Sequence, residues 1–153
     1  MENAVKNVHG LDRLLSDFFS QDDLGRLAAD AGEILNCPLL VIDDTFHVVA
    51  HYTTPGFSDT LFEKAIQLGE ITYEAGAIIS RSPALSTGQP DFIKLADSTH
   101  RRRFAPLVSA GVRLGYLICI DVDQHLQEID AATYRTVETV LSKQLFVQVG
   151  RQD

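Results

Sequence analysis

Leu39-Leu40-Val41-Ile42-Asp43-Asp44-Thr45-Phe46-His47-Val48-Val49-Ala50 is the stretch on which the fold turns. Its first four residues are apolar and rich in branched side chains, with no polar alternation. Such a run reads as a strand covered on both faces. Asp43-Asp44-Thr45 then supplies turn chemistry, because Asp and Thr side chains bond nearby backbone N–H groups. Phe46 to Tyr52 reads as a second strand, so the whole is a hairpin. A hairpin at this point makes the sheet antiparallel and argues against a crossover of the βαβ kind.

The helices before it are legible from spacing. Leu11, Leu14, Leu15, Phe18 and Phe19 recur at helical intervals. Ser20 is the expected cap of a second helix, with Asp22 and Asp23 in its first turn. The stripe of that helix is Leu24, Leu27, Ala28, Ala31, Ile34 and Leu35. Asn36 and Pro38 end it, since Pro disfavours the helical region for its predecessor. Residues 1–10 show no apolar pattern and are expected to be a flexible start.

Downstream, Thr53-Thr54-Pro55-Gly56 is a loop. Ser58 or Thr60 is the expected cap of a helix that Gly69 stops, Thr60 with Glu63 forming a capping box. Residues 70–80 read as a short helix or turn. Residues 81–90, Arg-Ser-Pro-Ala-Leu-Ser-Thr-Gly-Gln-Pro, read as a long loop of the sort that covers binding sites. Strands are predicted over Asp91–Leu95, Arg102–Val108 and Val112–Asp121, and a long helix from Glu128 to about Val149. The order predicts an α+β domain: a five- to six-stranded antiparallel sheet with helices on its faces. A single domain spans 11–149, with 150–153 as a tail.

Composition narrows the function classes. A chain of 153 residues with a formal net charge of −8 is a poor ligand for nucleic acid or an anionic membrane. No apolar run reaches the ~18 residues of a membrane span, and no signal peptide is legible at the start, so a cytoplasmic protein is expected. Cys37 and Cys119 lie in apolar settings far apart in sequence and read as buried free thiols.

Two segments resemble the GAF-like input domains of bacterial regulators. One is Ile34 to Ala50, in which a helix ends at a small residue and Pro, a strand follows, and a D-x-x-F turn opens a second strand. The other is Arg103-Phe104-Ala105-Pro106-Leu107-Val108 with Gly111-Val112-Arg113-Leu114-Gly115-Tyr116-Leu117, similar to the strand pair that ends a GAF sheet. The likeness is nearest to the N-terminal domains of PucR/CdaR-like helix-turn-helix regulators and covers roughly residues 11–149. It implies a GAF/PAS-like fold with the N- and C-terminal helices packed together. It also implies a dimeric, non-enzymatic input module that senses a small-molecule effector or a partner. DNA would be reached only through a helix-turn-helix domain outside this chain.

Catalytic constellations are missing from the sequence. It has no phosphate-binding glycine loop and no G-x-S-x-G elbow. His47 and His51 would stand ~13 Å apart along a strand, too far for one metal ion. No cofactor and no metal is expected. The expected ligand contacts are Tyr52, Tyr73, Arg81, Phe92, Arg103, Phe104 and Tyr116, an aromatic and cationic set between sheet and loop. Arg101-Arg102-Arg103 is the one basic cluster. Strand alternation puts Arg102 and Arg103 on opposite faces, so one of them at most enters a pocket. Its other reading is a solvated hairpin end, balanced by Asp97. Leu11, Leu15, Phe18, Phe19, Val137, Leu141 and Leu145 are the expected homodimer contacts. Two further readings stand beside this one: a profilin- or roadblock-like scaffold without a ligand, and a GAF-type methionine sulfoxide reductase using Cys37 or Cys119.

Overall fold

In a computed structural model, the described residues are 2–96 and 98–151, with side chains described from His9 to Gln148. The order is α1 (Glu2–Phe19), α2 (Leu24–Leu35), β1 (Leu39–Asp43), β2 (Val48–Tyr52), α3 (Thr60–Leu68), α4 (Tyr73–Arg81), α5 (Pro83–Ser86), β3 (Asp91–Lys94), β4 (Arg101–Ser109), β5 (Val112–Ile120), and, after a short 3-10 turn at Leu126–Glu128, α6 (Ala131–Arg151). The sheet has five strands in the order β2-β1-β5-β4-β3, every pair antiparallel. This is the α+β architecture expected from the hairpins.

The decisive hairpin forms as read. Leu39 pairs with Tyr52 and Val41 with Ala50, with an irregularity at Ile42. Asp43 closes the turn, its Oδ1 accepting from the N–H groups of Thr45 (2.9 Å) and His47 (3.0 Å). His47 and His51 stay on the solvent side of the edge, His47 bonded to Thr45 (2.8 Å). No cluster of metal-ligating side chains occurs among the described residues.

Several boundaries differ from expectation, each for a local reason. The first helix begins at Glu2, nine residues before the expected stripe starts at Leu11. At Gly10 it passes so close to α2 that an added Cβ would lie 2.8 Å from Ile34 Cγ1. The cap of α2 is Asp23, which accepts from Arg26 N–H at 2.9 Å, because Gln21 turns the chain at positive φ after Ser20. The cap of α3 is Asp59, leaving Thr60 as the first helical residue. The expected loop 81–90 contains α5, capped by Ser82 with Pro83 in its first turn. The last helix starts at Ala131, not Glu128, and runs to Arg151, beyond the expected end at 149.

The sheet buries both faces. On one, α1, α2 and α6 pack Leu14, Leu27, Leu35, Val137, Leu141 and neighbours against Leu39, Val41, Leu117 and Cys119. On the other, α3, α4 and α5 pack Phe62, Ile79 and Leu85 against Leu40, Ile42, Phe104 and Ile118. Strand β5 is buried from Leu114 to Ile120, which explains its unbroken apolar run. Gly115 is required where β5 crosses β1: a Cβ there would stand 1.9 Å from the Ile42 carbonyl oxygen. Gly115→Ala therefore forces the central strands apart. It is expected to remove about 3 kcal/mol or more of stability, checked by urea unfolding.

A carboxyl pair ties α1 to α2. Asp30 is 3% exposed, its Oδ2 has no partner, and Asp17 and Arg26 (3.8 Å) adjoin it. Burial, then the Asp17 carboxylate, pushes the Asp30 carboxyl from 3.8 up to about 7. Asp17 is held below its ordinary value by the hydrogen bond with Asp30, so the pair shares one proton. The raised group stabilises the fold fully below its unfolded value and loses that contribution as the pH rises through about 7. Asp30→Asn removes the titrating group and stays neutral at every pH. Its advantage in melting temperature over the parent is expected to be largest at pH 8–9 and to shrink as the pH falls toward 3.8, where Asp30 is neutral in both states, read by thermal melts across that range.

Candidate functional site

Two of the three arginines of β4, Arg102 and Arg103, shape the two faces of the sheet. Both are buried, Arg102 to 4% and Arg103 to 5% exposure. The solvated-hairpin reading of this cluster is therefore corrected. Arg101 alone is partly exposed, paired with Asp121 at 3.3 Å and placed over the Phe92 ring. Asp97, expected to balance the cluster, lies outside the described residues. Alternation sends Arg102 and Arg103 through opposite faces, as the spacing requires.

Arg102 enters the α3 side. Its Nη2 donates to Asp59 at 2.7 Å and its Nη1 to Ser98 Oγ and the His100 carbonyl. Asp59 also accepts from Phe62 N–H (2.9 Å) and Ser98 Oγ (3.0 Å). Burial pushes the Asp59 carboxyl up, but the Phe62 N–H, Arg102 and Ser98 outweigh it and hold it below its ordinary value. Every strong group here is paired, so the cluster staples α3 and the 95–100 connection to the sheet. Beside it, Arg102, Phe62, Thr72, Ala75 and Phe104 bound a cavity of about 20 Å3. That is room for one water. The space between the sheet and residues 71–95, expected to hold an effector, is filled.

Arg103 enters the α6 side and opens onto a much larger space. Its Nη1 donates to Glu138 Oε2 at 2.7 Å, and its guanidinium carbon sits 3.5 Å from the Tyr134 ring centroid. Tyr134 is fixed by its hydroxyl donating to the Leu126 carbonyl. Burial raises the Glu138 carboxyl, and Arg103 partly offsets this. These residues form the floor of an open groove of about 590 Å3 between α6 and the outer end of β4. Phe92, Pro106, Val108 and Ile129 add apolar walls.

The groove exists because β3 is shorter than β4. The last β3–β4 pair is Asp91 with Phe104, which leaves β4 unpaired beyond it. The Arg101 carbonyl accepts from Asp121 N–H at 2.9 Å, so odd-numbered β4 residues bond β5 and even-numbered ones face β3. Pro106 is the next even position, and the N–H it lacks is the one that would face the open edge. Proline there blocks the addition of another strand, so the groove is left with side chains for any contact.

The expected contact residues separate accordingly. Phe92 and Arg103 are register partners at the groove. Phe104 and Tyr116 belong to the core of the α3 side, the Tyr116 hydroxyl accepting from Arg113 (3.3 Å). Tyr52 packs on the opposite face, against α2 at Gly32. Tyr73 is 94% exposed at the start of α4, and Arg81 is exposed at its end, so neither lines a cavity. Glu138, Tyr134, Asp59 and Ser98 escaped the sequence reading. Glu138 had one legible signal, an acid four residues after an aromatic residue in an otherwise apolar helical stripe.

Of the expected dimer contacts, Val137, Leu141 and Leu145 are buried within the monomer and are unavailable to a partner. Leu11, Leu15 and Phe18 are partly buried against the same core. Phe19 remains 76% exposed, and among the described residues of α6 the large apolar side chains of Phe146 and Val147 are exposed.

Cys37, two residues before β1, does lie beside Cys119 of β5, although 82 positions separate them. Both are fully buried. The neighbouring Cys119 thiol, then burial, pushes the Cys37 thiol well above its ordinary value. A thiol so placed is a poor nucleophile.

This geometry defines a GAF-type fold. The chain is similar to the GAF domain of a phosphoenolpyruvate-protein phosphotransferase from Coxiella burnetii, at 14% identity and a TM-score of 0.63, over 98% of each chain. It is also similar to the GAF domain of the Acinetobacter phosphoenolpyruvate-protein phosphotransferase, at 10% identity and a TM-score of 0.55, over 94% of each chain. No protein-family model matches the sequence, and no curated protein sequence matches it.

Removing Asp59 leaves Arg102 charged and uncompensated in the core. Asp59→Ala is expected to lose about 3–5 kcal/mol, while the double replacement Asp59→Leu, Arg102→Met recovers much of it. Urea unfolding of the three variants measures both effects.

Proposed function

We propose that the chain is a sensing and dimerisation input domain of a bacterial transcriptional regulator, cytoplasmic and without catalytic activity of its own. The observation behind this reading is the shared helical layer. Helices α1 and α6, from opposite ends of the described chain, pack together on one sheet face. They leave Phe19, Phe146 and Val147 exposed. A second copy covering these residues would form a two-fold helical bundle. A change at the floor of the α6 groove would then act directly on the dimer contact. DNA would be bound by a helix-turn-helix domain outside this chain, which suits the charge of −8. Two domains of similar fold come from a phosphotransferase, so the fold also serves as a module of larger proteins outside transcription. The non-catalytic reading draws on the buried, unreactive thiols and on the lack of nucleophile motifs.

A scaffold role without a ligand is the second reading. It is favoured by one observation, the 20 Å3 cavity on the α3 side.

Sedimentation at tens of micromolar is expected to show a dimer. Phe19→Glu with Phe146→Glu is expected to give a folded monomer, since both side chains are exposed. A parent protein that sediments only as a monomer sinks the dimerisation reading.

A further inference from the structure

The groove beside α6 has the chemistry of a receptor for a zwitterion. At its floor stands a guanidinium and carboxylate pair, Arg103 and Glu138, 2.7 Å apart. The Arg103 guanidinium lies 5% exposed, its central carbon 3.5 Å from the Tyr134 ring centroid. Among the described residues its one hydrogen-bond partner is Glu138, through Nη1. Its other donors are thus left for a ligand. Glu138 uses Oε2 for Arg103, so Oε1 is an acceptor left for a ligand. Arg135, one turn before Glu138 on α6, also lines the groove and adds a second cation.

An anion alone fits this floor badly, because it would sit against the Glu138 carboxylate. A cation alone meets Arg103 and Arg135. A molecule that carries an ammonium and a carboxylate on one carbon satisfies both members of the pair. The volume of about 590 Å3 is in the range of small-molecule sites. The walls at Phe92, Pro106 and Ile129 offer an apolar lining for a side chain.

The geometry points to a free α-amino acid with an apolar side chain as the ligand of this groove, its carboxylate on Arg103 and Arg135 and its ammonium on Glu138. The site lies on the opposite sheet face from the filled cavity beside Arg102. It rests on the sensing part of the proposed function, and it supplies an effector class that part lacks. Binding would engage the first turns of α6, the helix that also presents Phe146 and Val147.

Calorimetry on the full chain tests this with L-phenylalanine, L-leucine, 3-phenylpropionate and phenethylamine. The two amino acids are expected to give saturable heats. The analogues lacking ammonium or carboxylate are expected to bind at least about tenfold more weakly, the loss of one charged contact. Thr139→Trp places a bulky ring in the groove from an exposed position of α6 and should abolish binding without unfolding, as a thermal melt confirms. Glu138→Gln should weaken L-phenylalanine by about tenfold yet leave 3-phenylpropionate no weaker; equal loss for both marks a merely structural residue and overturns the assignment. So does the absence of saturable heat for either amino acid, or full binding by Thr139→Trp. Sedimentation of the same samples separates the two proposals. A dimer that binds no amino acid defeats this inference alone, and a monomer that binds one defeats the dimer reading alone.

Discussion

Strand alternation on β4 places two consecutive arginines on opposite sides of one sheet, and each must find an acid. Arg102 finds Asp59 at the start of α3, and Arg103 finds Glu138 in the middle of α6. A buried guanidinium without a partner is unaffordable, so these two pairs fix where each helical layer sits. The same strand is therefore the mechanical link between the layers. A load on one pair reaches the other through a single peptide unit.

The two sides use that constraint differently. Around Arg102 every polar group is satisfied and the space is closed, which makes a structural staple. Around Arg103 the partner strand β3 has already ended, so the pair stands at the base of an open groove. Pro106 keeps the exposed edge from recruiting another strand. What remains is a charged pair with apolar walls, coupled through α6 to the exposed apolar residues of the helical layer. A GAF-type sheet whose inner cavity is filled thus retains an open groove against a helix.

The hairpin at 39–52, the helical stripes, the stop at Gly69 and the hairpin at Ala110-Gly111 were all readable from spacing and turn chemistry. Those signals are local, and the structure obeys them. The helix caps were misplaced by one to three residues, because several adjacent polar residues compete for the same role and the preceding turn chooses among them. The extension of α1 back to Glu2 was carried only by the sparse Ala4 and Val8, ahead of the stronger stripe at Leu11.

For the candidate site the sequence determined less. It established that Arg102 and Arg103 face opposite ways, since the period of a strand is two residues, and it drew Phe92 and Arg103 into one set of contacts. It could not show that Tyr73 and Arg81 stand in solvent, that Val137, Leu141 and Leu145 belong to the core, or that Cys37 lies beside Cys119. Those facts depend on which helix lies over which strand. That choice is made by long-range packing and by the pairing of buried charges, Asp59 with Arg102 and Glu138 with Arg103, whose members are 43 and 35 residues apart. Local sequence specifies each element and its faces; only the tertiary structure, by requiring every buried charge to meet its opposite, decides which faces meet and where a groove is left open.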